Sequence, residues 1–457
     1  MEYNIFLENK AQFSADTGFD PVFMPDYLFD FQKFLVEWSV RKGRDAIFAD
    51  CGLGKTPMQL VWAENIIRKE NKPVLIVTPL GVSHQTIREG EKFGIECAHS
   101  RDGKVTGKIV VTNYEKLHLF NPNDFIGVVC DESSILKNFD GKRKAIITEF
   151  LRTRPYRLLC TATAAPNDYT ELGTSSEALG YMGFIDMLNR FFKNDQSTTD
   201  YKKRFARGSW EAPKWRFKRH AENHFWRWLC SWSRSLRYPS DMGFDDDKFI
   251  LPPLKIEETT VSCDRPFEGK FFVMPAQNLR EQRKERRITI EARCEEAAKK
   301  VKGTFPAVIW CHLNAEADLL EKIIPDALQV SGSHSDEKKE ERFLAFQDGQ
   351  LRCLITKPRI GGFGLNWQHC SNMVIFPSHS FEQYYQSIRR CWRFGQEKSV
   401  KVDIITTEGE VKVLRNLQRK EKEASNMYTK LVGMANEALS ISTDKEFNLE
   451  EEVPIWL

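Results

Sequence analysis

A glycine-rich stretch that ends in lysine and threonine carries the clearest chemistry in this sequence. It has Ala, then four residues of any type, then Gly-Lys-Thr, which is the pattern of a phosphate-binding loop. The glycines let backbone N–H groups face an anionic phosphate, the lysine reaches the β and γ phosphates, and the threonine hydroxyl binds magnesium. We therefore predict that ATP is bound by Ala49, Asp50, Cys51, Gly52, Leu53, Gly54, Lys55 and Thr56.

Two adjacent carboxylates supply the second part of this chemistry. Asp131 and Glu132 follow an apolar run downstream of the phosphate loop. A nucleotide hydrolase needs one carboxylate for magnesium and another that polarises the attacking water. We therefore predict that Asp131 and Thr56 hold magnesium and that Glu132 orients water. The alternative is an acidic turn after a strand, and the phosphate loop upstream makes that alternative weaker.

Two arginines complete the candidate catalytic set, which is Lys55, Asp131, Glu132, Arg390 and Arg393. The arginines are three residues apart in a stretch that we expect to be helical, so they would share one face. A planar, permanently charged guanidinium suits a γ phosphate while charge develops during transfer. Alone, such a pair is usually a surface feature, so its catalytic role depends on the phosphate loop.

Apolar runs of strand length position these residues. They alternate with helical stretches, which is typical of parallel sheets whose ligands bind at the carboxyl ends of the strands. We predict an α/β fold with two RecA-like parallel-sheet lobes and a helical insert between them. The predicted strands are 46–49, 74–78, 109–112, 126–130 and 157–161 in the first lobe, and 307–311, 353–356, 373–376 and 400–405 in the second.

The stretch 190–237 is basic and rich in aromatic residues. It contains thirteen Lys or Arg against four Asp or Glu, and five of the eleven tryptophans. Cations that contact phosphates and rings that stack on bases favour nucleic-acid binding. The alternative, a helical insert that buries its tryptophans and exposes its charges, has equal weight, and both interpretations can hold together.

The motifs, taken in order, resemble those of superfamily 2 helicases. Their spelling is closest to the Swi/Snf-type DNA-dependent ATPases, in particular the compact versions of tailed bacteriophages. The residues that carry this resemblance are Gln32, Ala49 to Thr56, Thr78-Pro79, Thr112-Asn113-Tyr114, Asp131-Glu132-Ser133-Ser134, Thr161-Ala162-Thr163, Gly361 to Asn366 and Gln386 to Gln396.

This resemblance implies further site residues. Gln32 would contact adenine, Gly362 and Gly364 would add to the ATP site, and Arg390 and Arg393 would reach ATP across the cleft between the lobes. The candidate DNA-binding residues are Thr78, Pro79, Thr112, Asn113, Tyr114, His312, Asn314 and Arg359, together with Arg216 and Arg219 of the basic insert.

Several positions depart from the usual motifs of these relatives, among them Ser134, where many relatives have a histidine. Cys51 stands where an acidic residue is frequent, Ala162 stands where a glycine is usual, and Arg389 replaces the glycine common before the first arginine. None of these changes removes a charge that hydrolysis needs.

The motifs also divide the chain. The predicted domains are an ATP-binding lobe at 1–180, a basic and tryptophan-rich insert with a linker at 181–260, a charged connecting helix at 261–303, a second lobe at 304–440 and an acidic tail at 441–457.

Bulk composition limits the other possibilities. The net charge is +3, and the eleven cysteines include no C-x-x-C pair, which argues against a zinc ribbon or a disulfide scaffold. No apolar run approaches about 18 residues. We therefore expect a cytoplasmic protein, inside the host cell if a phage encodes it, with no membrane contact.

The predicted activity is ATP-dependent movement on duplex DNA in phage DNA metabolism. The predicted partners are DNA, either duplex or single-stranded, and phage replication or recombination proteins. Three alternatives remain: a strand-separating helicase, the motor subunit of a restriction-like system, and a nucleotide-gated DNA clamp that hydrolyses ATP very slowly.

Overall fold

The structure, a computed structural model, describes residues 17–79, 81–137, 141–165, 168–194, 215–218, 220–262, 285–362, 365–378 and 380–444, without the side chains of 409, 412 and 435–444. Several predicted features lie outside these ranges. They are Gly364, Arg219, Trp210, much of the connecting segment 261–303 and most of the acidic tail.

The first lobe is built on a parallel sheet with the strand order β3-β4-β2-β5-β6-β1-β9. Its central strands are buried along their whole length, which explains why their sequences are continuously apolar. The strands are β1 (Arg44–Ala49), β2 (Val74–Thr78), β3 (Ala98–His99), β4 (Ile109–Asn113), β5 (Gly127–Asp131), β6 (Tyr156–Cys160) and β9 (Ser233–Leu236). A small antiparallel pair, β7 (Phe192–Asn194) and β8 (Trp215–Phe217), lies beside the lobe.

The second lobe contains another parallel sheet, with the order β10-β15-β14-β11-β13-β12. Its strands are β10 (Leu254–Val261), β11 (Ala307–Trp310), β12 (Ala327–Val330), β13 (Cys353–Thr356), β14 (Asn372–Ile375) and β15 (Val400–Thr407). The prediction of two parallel-sheet lobes is confirmed, and the predicted strand ends differ from the observed ones by one or two residues at most positions.

Helices connect the strands and cover both sheets. They are α1 (Asp30–Lys42), α2 (Lys55–Glu70), α3 (Ser83–Phe93), α4 (Lys142–Leu151), α5 (Leu172–Leu179), α6 (Phe184–Phe191), α7 (Glu222–Trp232), α8 (Ile290–Val301), α9 (Asn314–Ile323), α10 (Asp336–Gln347), α11 (Pro358–Gly361), α12 (Phe381–Ile388) and α13 (Val411–Asp444).

The end of the predicted insert lies in the first lobe. Strand β9 pairs in parallel with β1, with Leu236 opposite Ala49, and so it extends the sheet beside the phosphate loop. Trp226 and Trp232 of α7 are buried in the core of this lobe. For these two tryptophans, the interpretation in which the insert buries its aromatic side chains is therefore correct. Strand β9 was not predicted, because its short and mostly polar sequence lacks the apolar pattern of a buried strand.

The long helix α13 packs against both lobes. Leu414 and Leu417 lie in the core of the second lobe, whereas Met427 and Leu431 lie in the core of the first. The Tyr428 hydroxyl donates a hydrogen bond to the carbonyl of Ala162 in the first lobe. This helix therefore joins the lobes a second time, after the chain has crossed between them ahead of β10.

Candidate nucleotide site and interlobe cleft

The phosphate loop joins the end of β1 to the first turn of α2. Gly52 has φ +90° and Gly54 has φ +73°, a left-handed conformation that favours glycine. The ammonium of Lys55 donates hydrogen bonds to the carbonyls of Ala49 and Asp50, at 2.8 and 3.1 Å. Lys55 is therefore held against its own loop, at a helix N-terminus that favours anions.

Gln32 on α1 supports this loop directly. Its amide nitrogen donates to the carbonyl of Leu53 at 2.9 Å, and its amide oxygen accepts from the backbone N–H of Phe29 at 3.0 Å. Both ends of the side chain thus have protein partners. The contact that the structure shows is with the phosphate loop, and the contact with adenine stays a prediction.

The acidic pair lies at the carboxyl end of β5. Gln59 on α2 donates to Asp131 at 2.7 Å, and Thr161 donates to Glu132 at 3.1 Å. Glu132 has φ +51°, an uncommon conformation for a residue with a side chain. Burial raises the pKa of both carboxyls, while Lys55 opposes this shift in each. Lys55, together with the Gln59 hydrogen bond at Asp131, therefore offsets part of the effect of burial.

The arginine segment does not have the predicted conformation. Helix α12 ends at Ile388, so Arg390 and Arg393 lie on the turn that follows it, and their prediction on a helix was wrong. The Gln396 amide closes this turn with hydrogen bonds to the carbonyls of Cys370 and Cys391. The two arginines still converge, because both donate to the carbonyl of Leu365, at 3.2 and 3.3 Å.

This turn contacts the phosphate loop across the interlobe boundary. The Arg390 guanidinium lies 4.0 Å from the Cys51 sulfur. A Cβ on Gly52 would lie 2.9 Å from the backbone nitrogen of Phe394, so a side chain at that position would clash. The structure therefore brings the first-lobe loop and the second-lobe arginines into one site, as predicted from sequence.

The site has the charge expected for a bound phosphate. Arg390 is buried and Arg393 is half-buried, and neither forms an ion pair with a carboxylate in the described part of the chain. Burial, with help from Arg390, lowers the pKa of Arg393 to about 10. Cations that are withdrawn from water without an anionic partner are costly, and a bound anion would relieve that cost.

The predicted magnesium ligands also fit. Asp131 supplies a buried carboxylate and Thr56, half-buried in the first turn of α2, supplies a hydroxyl. Magnesium in phosphoryl-transfer sites takes one or two protein ligands, with water and phosphate oxygens as the rest. Elsewhere among the described residues, no group of three or more His, Cys, Asp or Glu side chains could hold a metal ion.

A cavity of about 830 Å³ lies between the lobes, and Glu132 is among the residues that line it. Ten cationic and six acidic side chains line it, so its lining carries a net positive charge that suits a polyanion. The cations are Arg88, Lys92, Arg101, Lys116, Lys137, Lys142, Arg143, Lys144, Lys339 and Arg359.

The candidate DNA-binding residues of the first lobe fall into two groups. Pro79, Asn113 and Tyr114 line the cavity. The hydroxyls of Thr78 and Thr112 are buried and bonded within the lobe, to Ser83 Oγ at 2.9 Å and to the Ser100 carbonyl at 2.9 Å respectively. Tyr114 also has an internal bond, because its hydroxyl donates to the carbonyl of Asp131 at 2.6 Å. This residue therefore joins the cavity wall to the acidic pair.

The second-lobe candidates are also divided. Arg359 is exposed and lines the cavity. The ring of His312 contacts the carbonyl of Phe376 at 2.8 Å, and burial lowers its pKa to about 4. The amide oxygen of Asn314 accepts a hydrogen bond from Lys357. At Gly362, which was predicted to add to the ATP site, a Cβ would lie 2.2 Å from the carbonyl of Pro358, and the contact with ATP stays a prediction.

Arg216 lies apart from these groups. It is exposed on β8, within the small antiparallel pair beside the first lobe. It is therefore not among the residues that line the cavity.

A buried ion pair fixes the backbone of the segment that contains His312. Arg293 and Glu316 lie 2.7 Å apart, and both side chains are 1% exposed. Glu316 also accepts the backbone N–H groups of His312 and Leu313, at 2.8 and 2.9 Å. Burial raises the pKa of Glu316, but Arg293 and these N–H groups lower it below its ordinary value.

We expect Arg293→Met to lower the free energy of unfolding by about 3–5 kcal/mol, because it leaves the Glu316 carboxylate buried without its cation. Urea denaturation would measure this change. The control is Arg352→Met, which removes an arginine that is 61% exposed and pairs with Asp326 at 3.9 Å. The control should change stability by less than about 1 kcal/mol. Equal effects of the two substitutions would contradict the structural role of the buried pair.

Sequence reasoning assigned no role to three supporting residues, one of which, Thr161, it had named among the motif residues. Gln59 and Thr161 orient the acidic pair, and Tyr385 donates a hydrogen bond across the lobes to Asp50. The position of Thr161 at a strand end was a usable signal. The other two belong to helices, where their sequence pattern marks no function.

Comparison with known proteins agrees with this site. Residues 290–395 match the helicase conserved C-terminal domain family. Two parallel α/β lobes around a phosphate loop, an acidic pair and two arginines define a helicase-like nucleotide hydrolase core. The resemblance to superfamily 2 helicases of the Swi/Snf type, which the motifs predicted, is confirmed.

Individual relatives are distant. Protein p41 of Acyrthosiphon pisum secondary endosymbiont phage 1 is 22% identical, over 79% of this chain and 87% of p41. Chromatin remodeling factor mit1 of Schizosaccharomyces pombe is 31% identical, but over only 20% of this chain and 7% of mit1. The Sulfolobus solfataricus SWI2/SNF2 ATPase core in complex with dsDNA covers 90% of this chain and 96% of its own, with 16% identity and a TM-score of 0.42.

Two further observations concern the class of protein. Among the described residues, no helix combines the length and apolar composition needed to cross a membrane. The ten described cysteines are unpaired, and nine of them are buried.

Proposed function

We propose that this protein is a DNA-dependent ATPase that couples magnesium-ATP hydrolysis to movement along duplex DNA. The observation that carries the proposal is the position of the second-lobe arginines against the first-lobe phosphate loop. Both sides of the site are needed for hydrolysis, and each lobe supplies one side. A change in the relative position of the lobes would therefore change the rate of the reaction.

Each charged residue of the candidate site has a role in this proposal. Lys55 would exchange its two carbonyl partners for the β and γ phosphates, and Glu132 would accept a proton from the attacking water. Arg390 and Arg393 would stabilise the charge that develops on the transferred phosphoryl group. Magnesium, when bound by Asp131 and Thr56, neutralises charge on the β and γ phosphates.

The cavity between the lobes supports DNA as the polymer. Its cationic lining contains side chains from both lobes, such as Arg88 in the first and Arg359 in the second. A polymer that contacts both would favour one relative position of the lobes. Tyr114 offers a physical connection to the nucleotide site, because it lines the cavity and donates to the carbonyl of Asp131. A role in phage DNA metabolism and the phage replication or recombination partners stay predictions.

Steady-state ATP hydrolysis tests this function. The purified protein is assayed alone and with duplex DNA, single-stranded DNA or RNA, and Lys55→Ala is the inactive control. We expect duplex DNA to raise kcat by about tenfold or more, as binding energy from the polymer assembles the catalytic site. Stronger stimulation by single strands would favour the strand-separating helicase. ATP binding with negligible turnover on every polymer would contradict the proposal and favour the clamp.

A further inference from the structure

One interlobe contact joins the phosphate loop to the arginine turn. The Arg389 guanidinium forms an ion pair with the Asp50 carboxylate, and the two side chains are only 6% and 9% exposed. The Tyr385 hydroxyl donates to the other oxygen of Asp50, which also accepts the backbone N–H of Cys51 at 2.6 Å. The second lobe therefore supplies two of the three donors that hold this carboxylate.

This contact lies between the catalytic groups of the two lobes. The carbonyl of Asp50 accepts a hydrogen bond from Lys55 at 3.1 Å, so the residue that holds the second lobe also holds the catalytic lysine. On the other side, Arg389 directly precedes Arg390 and donates to the carbonyl of Trp392 at 3.4 Å. A shift at Asp50 or Arg389 would therefore move both halves of the site.

Arg389 differs from its two neighbouring arginines in its electrostatic partners. Its guanidinium is paired with a carboxylate, whereas Arg390 and Arg393 have carbonyl partners and, for Arg390, the Cys51 sulfur, but no carboxylate partner among the described residues. Burial lowers the pKa of Arg389, but Asp50 and Tyr385 raise it above its ordinary value. Arg389 therefore stays charged, but the Asp50 carboxylate offsets its charge, which distinguishes its role from that of the other two.

We propose that Arg389 is a positioning residue, which uses Asp50 to fix the register between the phosphate loop and the arginines that contact ATP. The inference rests on the proposed function. Tyr385 strengthens the same contact through the second oxygen of Asp50. The register is set by protein contacts alone, so it exists before nucleotide binds. In the closed arrangement of the lobes, which a bound polymer would favour, the arginines then face the phosphate loop.

The first test does not depend on hydrolysis and uses a native thiol as its reporter. Cys51 is 8% exposed and lies under Arg390, 4.0 Å from its guanidinium. We expect Arg389→Gln to speed modification of Cys51 by iodoacetamide about tenfold, since local opening exposes a group covered only at an interface. Peptide mass spectrometry would measure the rate at each cysteine.

Two other cysteines control for unfolding in this labelling experiment. Cys97 is partly exposed in the first lobe, and Cys130 is buried in its sheet. Both should be modified at the wild-type rate in Arg389→Gln. If that variant fails to fold, Tyr385→Phe removes one donor from Asp50 without removing a charge, and it should speed Cys51 modification by a smaller factor. An unchanged rate at Cys51 in folded variants overturns the proposal.

The second test separates positioning from substrate binding. We expect Arg389→Gln to lower kcat about 100-fold, because small misplacements of catalytic groups have effects of this size, while KM for ATP changes less than about threefold. Asp50→Asn should give a similar loss, and the double variant should be no worse than the slower single variant. Arg389→Lys should restore part of the rate, and Arg352→Gln is the matched surface control.

The outcomes of the two tests are distinguishable. A raised KM with unchanged kcat would show that Arg389 binds substrate, which overturns the positioning role. If the wild-type protein hydrolyses no ATP, the proposed function fails, but the rate of Cys51 modification still decides whether Arg389 fixes the register.

Discussion

Replacement of Arg393 by alanine is expected to lower ATP turnover by about 10³ to 10⁵-fold, because arginines of this kind stabilise the transition state to that extent. Binding of ATP should change little, since the phosphate loop and Lys55 remain. Single-turnover hydrolysis would measure the chemical step, and binding of a fluorescent ATP analogue would measure affinity. The structure supports this expectation because the half-buried Arg393 donates to the carbonyl of Leu365, which also accepts from Arg390.

The control for this prediction is Arg419→Ala. Arg419 is 59% exposed on α13, where it pairs with Glu423. We expect its replacement to leave turnover and ATP binding at wild-type levels. Normal turnover in Arg393→Ala would refute the assignment of this residue to the transition state, whereas weaker ATP binding with unchanged kcat would indicate a role in ground-state binding alone.

The second large effect is expected for Glu132→Gln, which should lower kcat by about 10² to 10⁴-fold because an amide cannot accept the proton of the attacking water. The shape of the side chain is preserved, and Thr161 can still donate to the remaining oxygen. ATP binding should persist or become tighter, because a buried negative charge next to the phosphate site is removed. The same two assays measure both quantities.

A carboxylate on the cavity wall provides the comparison for Glu132. Glu115 is 45% exposed, lines the cavity and pairs with Arg143 at 3.2 Å. Glu115→Gln should retain its basal kcat without DNA. Equal losses in the two variants would point to a general electrostatic effect and would remove the case for Glu132 as the base.

The sequence predicted the strand, loop and helix of the phosphate-binding segment because local chemistry defines them. A glycine loop, a strand before it and a helix after it form one continuous segment, and its geometry follows from short-range rules. The position of the acidic pair could be predicted from the sequence for a similar reason. Asp131 lies at the end of a continuously apolar strand, and parallel topology takes such ends to one edge of the sheet.

The interlobe contacts could not be predicted in this way. Asp50 and Arg389 are 339 residues apart in the chain, and neither stands in a pattern that names its partner. The sequence showed that Arg389 stands where relatives commonly have a glycine. Only the structure shows that this additional guanidinium pairs with a carboxylate. Long-range pairs of this type depend on the packing of whole lobes, which no local periodicity encodes.

The basic insert shows a third kind of limit. Its composition predicted DNA contact and a buried aromatic core with equal weight, and composition alone cannot say which face of a helix is covered. Trp226 and Trp232 are covered by the first lobe. The strand β9 was missed because Ser-Arg-Ser-Leu has almost no apolar content, although pairing with β1 satisfies its backbone.

The way in which α13 attaches to both lobes limits how they can move. At 34 residues the helix is about 50 Å long, and ion pairs such as Lys430 with Glu222 fasten its middle to the first lobe. The lobes are thus joined both by this helix and by the chain segment that enters β10. Two lobes that are joined at two separate points can rotate most easily about the line between those points. We therefore expect opening at the nucleotide site to be mainly a hinge rotation about this line, with little sliding of one lobe along the other.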